Sequence, residues 1–246
     1  MKLNYKILTF YMFIMAVGLF TTRIFFGIYY YESEFIKYMM PWILILAVTI
    51  LIVCYTKEHF YVFDFPVKKR DGIFSVTILP IIVLMLFSLM IQIPEKQFSI
   101  KVFISCLAVG IAEEGMYRGI LMDGMLKNSS ANKAIVTSAM WFSLLHGLNI
   151  IGGQTLEEVI IQMMITFLSG IFLGVVYFKT KTLLLVIIYH CFWDYMIFGG
   201  MISSVEWLGG LMLVFSMIQV IVSVIVLYEN DTRFRTTGIK KLKQIK

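Results

Sequence analysis

The sequence predicts an all-α, polytopic integral membrane bundle of about eight transmembrane helices, forming a single membrane domain over residues 1–246. Two observations predict this class. Hydrophobic residues make up 60% of the 246 and charged residues 15%, whereas soluble domains average about 45–50% and about 25%. The apolar residues also form runs close to the roughly 20 residues that a membrane-crossing helix needs.

Each predicted helix is an apolar run bounded by charged or turn-forming residues. The first run is too long for the core of a signal peptide and lacks a convincing cleavage site, so we expect a retained membrane helix. Polar groups interrupt the fourth and seventh runs, which sets them apart from the others. The predicted spans are residues 7–30, 36–55, 73–93, 98–121, 133–150, 157–178, 182–199 and 205–228.

Basic residues alternate between the two sides of the predicted bundle. They cluster near the N-terminus, in every second loop and in the tail 233–246, whereas the opposite loops are mainly acidic. The positive-inside rule therefore predicts that both termini are cytoplasmic. Anionic lipid headgroups explain the net charge of +6 better than a nucleic acid, because the basic residues form short clusters between apolar runs, and no nucleic-acid-binding motif is present. A short chain rich in Lys and Ile favours a bacterial cell membrane.

Ionisable residues deep inside the predicted spans are candidates for function, because each costs about 2.5–3.5 kcal/mol at the centre of a membrane helix. Arg23 in the first span is expected to snorkel towards the interface or to pair structurally. The others fall in the fourth, fifth and seventh spans. They are Glu113, Glu114, Arg118, His146, His190 and Asp194.

The fourth span contains two adjacent glutamates with different expected roles. Glu114 and Arg118 are four residues apart, in the order that favours an ion pair along a helix. Glu113 projects about 100° away from Glu114 around the helix, so it is the carboxylate left free for chemistry. Three nearby glycines predict close approach of neighbouring helices: Gly110, Gly115 and Gly119.

Two histidines complete the set of candidates. His146 follows Phe142 by one helical turn, so the phenyl ring can lie beside the imidazole. His190 and Asp194 also share a helix face, which lets the carboxylate orient the imidazole or lets both approach one ligand. Together with Glu113, these groups could activate a water molecule and stabilise an oxyanion. The motifs of zinc, serine and aspartyl proteases are absent.

The expected depths of these residues differ. With a rise of about 1.5 Å per residue, straight helices place Glu113 near the cytoplasmic side, His190 near the middle of the bilayer and His146 beyond it. Convergence on one cavity therefore requires tilted helices or helix ends that differ from the predicted ones.

The three motifs resemble those of the CAAX prenyl endopeptidase and bacteriocin-processing family, intramembrane peptidases that include prenyl-protein proteases and bacterial Abi-type proteins. They occur in the family's order, within residues 98–200, which we predict to be the catalytic core. The motifs are Glu113-Glu114-x-x-x-Arg118, Phe142-x-x-x-His146 and His190-x-x-x-Asp194.

The resemblance implies a role for each motif. Glu113, helped by His146, would activate the water, while His190 and Asp194 would stabilise the oxyanion or help to hold a metal. A divalent ion such as zinc, bound by His146, His190 and Glu113, and a metal-independent mechanism are both compatible with it. The prenyl-protease branch commonly has Asn where this chain has Asp194, and an ionised Asp accepts hydrogen bonds without donating them. The supporting members would be Glu114 and Arg118.

The function predicted from these residues is hydrolysis of a peptide bond in a membrane-associated protein or peptide precursor. One alternative is a proton- or ion-coupled transporter, since buried acids and histidines also form relays, although no repeat symmetry is visible. Another is a non-catalytic bacteriocin-immunity or scaffold protein. A prenylated CAAX protein, a bacteriocin or pheromone precursor and another membrane protein all remain open as substrates.

Overall fold

The computed structural model describes residues 2–32, 34–56, 72–92, 99–200 and 206–244. All the regular structure in these residues is helical. The helices are α1 Lys2–Phe26, α2 Phe35–Thr56, α3 Gly72–Gln92, α4 Ile100–Glu114, a π-helix Gly115–Met122, α5 Asp123–Leu126, α6 Ala131–His146, a 3-10 helix Gly147–Ile150, α7 Leu156–Thr180, α8 Leu183–Phe198 and α9 Glu206–Gln244.

The predicted all-α membrane bundle is confirmed. Because α4, the π-helix and α5 are continuous and α6 runs into the 3-10 helix, the described residues form eight helical stretches. Large apolar side chains such as Phe25 and Met217 are 73% and 68% exposed, as expected of a surface that lipid covers. Four helices of the described ranges are long and apolar enough to cross a membrane: Tyr5–Phe26, Phe35–Thr56, Leu156–Thr180 and Trp207–Asp231.

Polar side-chain caps begin α4 and α6, which carry candidate residues, and α7, which packs beside α6. Ser99 before α4 and Ser130 before α6 each accept a hydrogen bond from the backbone amide three residues further on. Thr155 and Glu158 form a capping box at the start of α7, with hydrogen bonds of 2.8 and 3.3 Å. Each cap satisfies amides that the first helical turn leaves unpaired, so it defines where the helix starts.

Helix α4 lies at the centre of the bundle, packed against α2 and against α8, while α6 packs on α7. Gly110 faces the backbone of Ile187 in α8, and a Cβ atom there would lie 2.9 Å from the Ile187 carbonyl oxygen. Gly115 meets Ile50 of α2 still more closely, and Gly119 meets α8. The predicted close helix contacts around the acidic motif are therefore confirmed.

The helix ends explain how the candidate residues converge. The predicted fourth span ends at residue 121, but the helical stretch continues to Leu126. Glu113 consequently lies at the middle of this helical stretch, and not near one end as the predicted bounds imply. His190 likewise lies at the middle of α8. His146 is the last residue of α6.

Arg23 is held by the loop that follows the 3-10 helix. One of its guanidinium nitrogens, Nη1, donates a hydrogen bond of 3.3 Å to the carbonyl oxygen of Ile151. The guanidinium also lies 5.5 Å from the ring centre of Tyr29. The expected structural pairing of Arg23 is therefore confirmed, and its partner is a backbone carbonyl.

Part of the loop-charge prediction falls outside the described residues. This applies to the segments 57–71, 93–98 and 201–205 and to the last two residues. Within the tail 233–246, the helix α9 continues to Gln244. The cytoplasmic position of both termini remains a prediction.

Candidate active site

The predicted ion pair between Glu114 and Arg118 is present and fully buried. Nη1 of Arg118 donates to Oε1 of Glu114 at 2.8 Å, and both side chains are 0% exposed. Nη2 of Arg118 donates to the carbonyl oxygen of Gly170 in α7 at 2.9 Å, and the guanidinium lies 4.6 Å from the ring centre of Phe142 in α6. The pair thus connects its own helical stretch to α6 and α7. Breaking it would leave an uncompensated charge in the interior.

A π-helix, Gly115–Met122, begins directly after the two glutamates, and all its residues are buried. Its hydrogen bonds span five residues, in contrast to four in an α-helix, and such segments are frequent at functional sites. Arg118 belongs to this segment, so the ion pair crosses the junction between α4 and the π-helix. Hydropathy gives no signal for such a junction, and the sequence did not predict it.

His190 lies among three carboxylates. Its Nδ1 atom is 2.8 Å from Oε1 of Glu114, and its Nε2 atom is 3.4 Å from Oδ2 of Asp194 and 3.7 Å from Oε2 of Glu113. The predicted pairing of His190 with Asp194 is therefore observed, but the shorter contact is with Glu114, which the sequence did not predict. A protonated imidazole donates from both nitrogens, so His190 can bridge the ion pair to the other two acids.

Glu113 is the least satisfied acid of the site. It is 6% exposed, and its Oε2 atom has no hydrogen-bond partner among the described residues. The distance of 3.7 Å to His190 Nε2 exceeds that of a hydrogen bond. Its geometry agrees with the prediction that the ion pair leaves this carboxylate free.

Phe142 lies between the two histidines. Its ring centre is 5.1 Å from that of His146 and 6.0 Å from that of His190, with both contacts edge to face. The predicted contact between Phe142 and His146 is confirmed, and the same ring brings the second histidine into the site. The structure thus brings all three sequence motifs to one place.

The ring of His146 has neutral neighbours, in contrast to that of His190. Nδ1 of His146 lies 3.4 Å from Nε2 of Gln162 in α7, and the same amide nitrogen donates to Oη of Tyr30 at 2.9 Å. Nδ2 of Asn149 donates to Oε1 of Gln162 at 3.0 Å. The sequence did not predict a role for these three residues, because only ionisable groups stand out within an apolar span. A polar amide inside the sixth predicted span was the available signal for Gln162.

The residues predicted to bind a metal do not form a metal site in this arrangement. Two imidazoles and a carboxylate, from His146, His190 and Glu113, are the right donors for zinc. No group of three His, Cys, Asp or Glu side chains in the described ranges is arranged to hold an ion. His190 uses Nδ1 for Glu114, and its Nε2 faces two acids. In this arrangement the three donors do not converge on one ion.

Comparison with known protein families supports the motif resemblance. Residues 95–196 match a family model described as type II CAAX prenyl endopeptidase Rce1-like. The matched segment contains all six candidate residues and nearly coincides with the predicted core, 98–200. No match was found among curated proteins. The resemblance drawn from the three motifs is confirmed, and at the level of the family it supports a CAAX-type intramembrane protease.

Proposed function

We propose that this chain is an intramembrane endopeptidase that hydrolyses a peptide bond in a membrane-associated protein or peptide precursor, with a water molecule activated by Glu113. One observation carries the proposal. A buried carboxylate oxygen of Glu113, which has no hydrogen-bond partner among the described residues, lies 3.7 Å from the Nε2 atom of the buried His190 imidazole, inside the segment that matches the peptidase family.

Glu113 acts as the general base in this proposal. It takes a proton from water while the water oxygen attacks the carbonyl carbon of the scissile bond, which produces a tetrahedral oxyanion. The protonated Glu113 then gives that proton to the leaving nitrogen as the carbon–nitrogen bond breaks. Positioned proton transfer of this kind contributes about 10²–10⁴-fold to a rate.

His190 orients the acidic groups around Glu113, because its two ring nitrogens contact three carboxylates. Its Nδ1 atom is fixed by Glu114, which is in turn fixed by Arg118, so the imidazole keeps one orientation. Its Nε2 atom points to the two remaining acids. An ionised Asp194 only accepts hydrogen bonds, so it orients His190 and does not donate to the oxyanion.

The membrane setting of the proposal follows from the bundle and the loop charges. We propose that both termini are in the cytoplasm of a bacterial cell and that anionic lipid contacts the basic loops on that side. The substrate would reach Glu113 from within or beside the bilayer.

A cleavage assay with purified protein in lipid nanodiscs tests this function. Fluorogenic peptides would be offered in matched prenylated and unprenylated forms, and products identified by mass spectrometry. Candidate substrates come from peptides that differ between cells with and without the protein. We expect Glu113→Gln to accumulate normally, because it removes a buried charge, and to lose cleavage by about 10²-fold or more. Glu157→Gln, at an exposed acid at the start of α7, is the matched control and should cleave like wild type.

Two results would count against the proposal. Full cleavage by purified Glu113→Gln would refute the assigned mechanism. Wild-type protein that cleaves no peptide, yet moves protons or solute across liposomes in a Glu113-dependent manner, would establish the transporter alternative in its place.

A further inference from the structure

The hydroxyl of Tyr11 is a buried polar group on α1, outside the segment that matches the peptidase family. Tyr11 is 1% exposed, and its Oη atom has no hydrogen-bond partner among the described residues. Buried polar groups of proteins are nearly always bonded to protein or to ordered water. A phenylalanine would fill the same space without a polar atom to satisfy, so this hydroxyl points to a ligand.

Packing places the hydroxyl beside the acidic motif. The ring of Tyr11 lies edge to face against that of Tyr117, with 5.9 Å between the ring centres. Tyr117 follows Glu113 by four residues in one continuous helical stretch, so the two side chains leave it on nearly the same face. The hydroxyl of Tyr11 is also close enough to Glu113 and Glu114 for their charges to act on it. Tyr11 thus approaches the two glutamates from the α1 side of the bundle.

The second phenol of this ring pair already has a partner. Oη of Tyr117 donates to Sδ of Met12 at 3.6 Å, and the ring of Tyr117 packs against Phe142, with 5.4 Å between the ring centres. Of the two phenols, Tyr11 is therefore the one whose hydroxyl is available to the acids.

The two glutamates present the complementary atoms. Glu114 uses Oε1 for Arg118 and His190, whereas its Oε2, like that of Glu113, is buried without a hydrogen-bond partner in the described part of the chain. A phenol can donate and an ionised carboxylate can only accept, yet no direct hydrogen bond joins them. A buried water molecule typically makes about 3 hydrogen bonds to groups of this kind, so one water between Tyr11 and Glu113 would satisfy both.

We propose that Tyr11 is a further water-binding residue of the site, whose hydroxyl donates a hydrogen bond to the oxygen of the water that Glu113 deprotonates. The water gives one proton to Oε2 of Glu113 and uses a lone pair to form the bond to the carbonyl carbon, while the phenol keeps its own proton. Tyr11 therefore sets the direction of that lone pair. The catalytic part rests on the proposed peptidase function, whereas the bound water does not.

Removing the hydroxyl alone tests the catalytic part. Tyr11→Phe in nanodiscs should lose about tenfold to 10²-fold in kcat, because a misplaced reacting group costs up to about 10²-fold, while KM stays within about twofold. Its melting temperature should stay close to that of wild type, because the hydroxyl makes no hydrogen bond to the described protein. Tyr5→Phe removes a hydroxyl about 9 Å earlier along the same helix; it is the matched control and should cleave like wild type.

A donor restored at the same place should restore the rate. Replacing Tyr11 with 4-aminophenylalanine keeps the ring and supplies an N–H donor, so we expect most of the lost kcat to return. A role of the ring in packing alone would give the same rate for this variant and for Tyr11→Phe.

The bound water can be detected without catalysis, by solid-state NMR that transfers magnetisation from water to labelled tyrosine rings. Tyr11→Phe identifies the signal of Tyr11 among the 13 tyrosines. We expect wild-type Tyr11 to receive magnetisation from water although it is buried among apolar side chains.

Each result bears on a separate part of the proposal. Undiminished kcat in Tyr11→Phe, or a raised KM at unchanged kcat, would overturn the catalytic role. A rate loss that 4-aminophenylalanine fails to restore, or that comes with a lowered melting temperature, would give the hydroxyl a structural role in its place. Absence of transfer from water to Tyr11 would overturn the bound water. A wild-type protein that cleaves no peptide would refute the peptidase function, and the NMR result would then decide the bound water by itself.

Discussion

Replacing Gly110 with alanine should damage the site without touching any of its side chains. The added Cβ would lie 2.9 Å from the carbonyl oxygen of Ile187, whereas ordinary contact begins at 3.4 Å. A backbone oxygen cannot rotate away as a flexible side chain can. Helix α4 must therefore move about 0.5 Å from α8, since contacts closer than the optimum are strongly repulsive.

This displacement acts on the acid–imidazole pair. Glu113 follows Gly110 by three residues on α4, and His190 follows Ile187 by three residues on α8, so the gap of 3.7 Å between Oε2 and Nε2 should change with the helix separation. A misplacement of about 1 Å can cost about 10²-fold in rate, so we expect about a tenfold loss of cleavage. Overpacking costs about 1–3 kcal/mol, of which the better helix propensity of alanine offsets about 1 kcal/mol.

The assay combines peptide cleavage with thermal unfolding of the purified protein. Gly210→Ala is the matched control, because a Cβ at Gly210 has nothing within 4 Å. It should cleave normally and be equally or slightly more stable. If Gly110→Ala cleaves as fast as Gly210→Ala, the contact between α4 and α8 does not position Glu113 and the reasoning is wrong.

Three further outcomes are expected. Glu114→Ala should lower the free energy of unfolding by about 3–5 kcal/mol, because it leaves the buried charge of Arg118 unpaired, and Arg118→Ala should lower it less, because Glu114 keeps its contact of 2.8 Å with His190; normal thermal stability with full activity would contradict this. Chelators should leave cleavage unchanged, and loss of cleavage that zinc restores would instead assign a metal to the site. Reporter domains fused after Lys127 should be cytoplasmic and those after Gln154 external, and the reverse would overturn the predicted orientation.

The sequence predicted those features that depend on local spacing or on the solvent. Lipid leaves backbone groups unpaired unless they form helices, so apolar runs predicted the number of helical stretches. The pair of Glu114 and Arg118 lies within one continuous helical stretch, and its four-residue spacing was sufficient to predict it. Gly110 was informative for a similar reason, since small residues permit close contact between membrane helices.

Contacts between helices were not predictable in the same way. His190 and Glu114 are 76 residues apart, and their bond depends on the rotation and relative height of two packed helices, which hydropathy does not contain. The contact between Gln162 and His146 also depends on packing, and an uncharged amide was not among the groups whose burial is most costly. The π-helix changes the backbone hydrogen bonds while leaving the apolar pattern intact, so it could not be predicted from hydropathy.

Phe142 shows how one side chain connects the three motifs. The sequence predicts only its contact with His146, which is observed. In the structure its ring also contacts the guanidinium of Arg118 and the imidazole of His190. The negative face of a phenyl ring attracts a cation and its edges favour perpendicular neighbours, so these contacts suit an aromatic residue better than an aliphatic one. Gly170 leaves room for the ring, because a Cβ there would lie 3.1 Å from Cδ1 of Phe142, and its carbonyl oxygen accepts the hydrogen bond from Arg118. Phe142 therefore acts as a spacer between the motifs. Its ring separates the ion pair of the first motif from His146 of the second motif and His190 of the third.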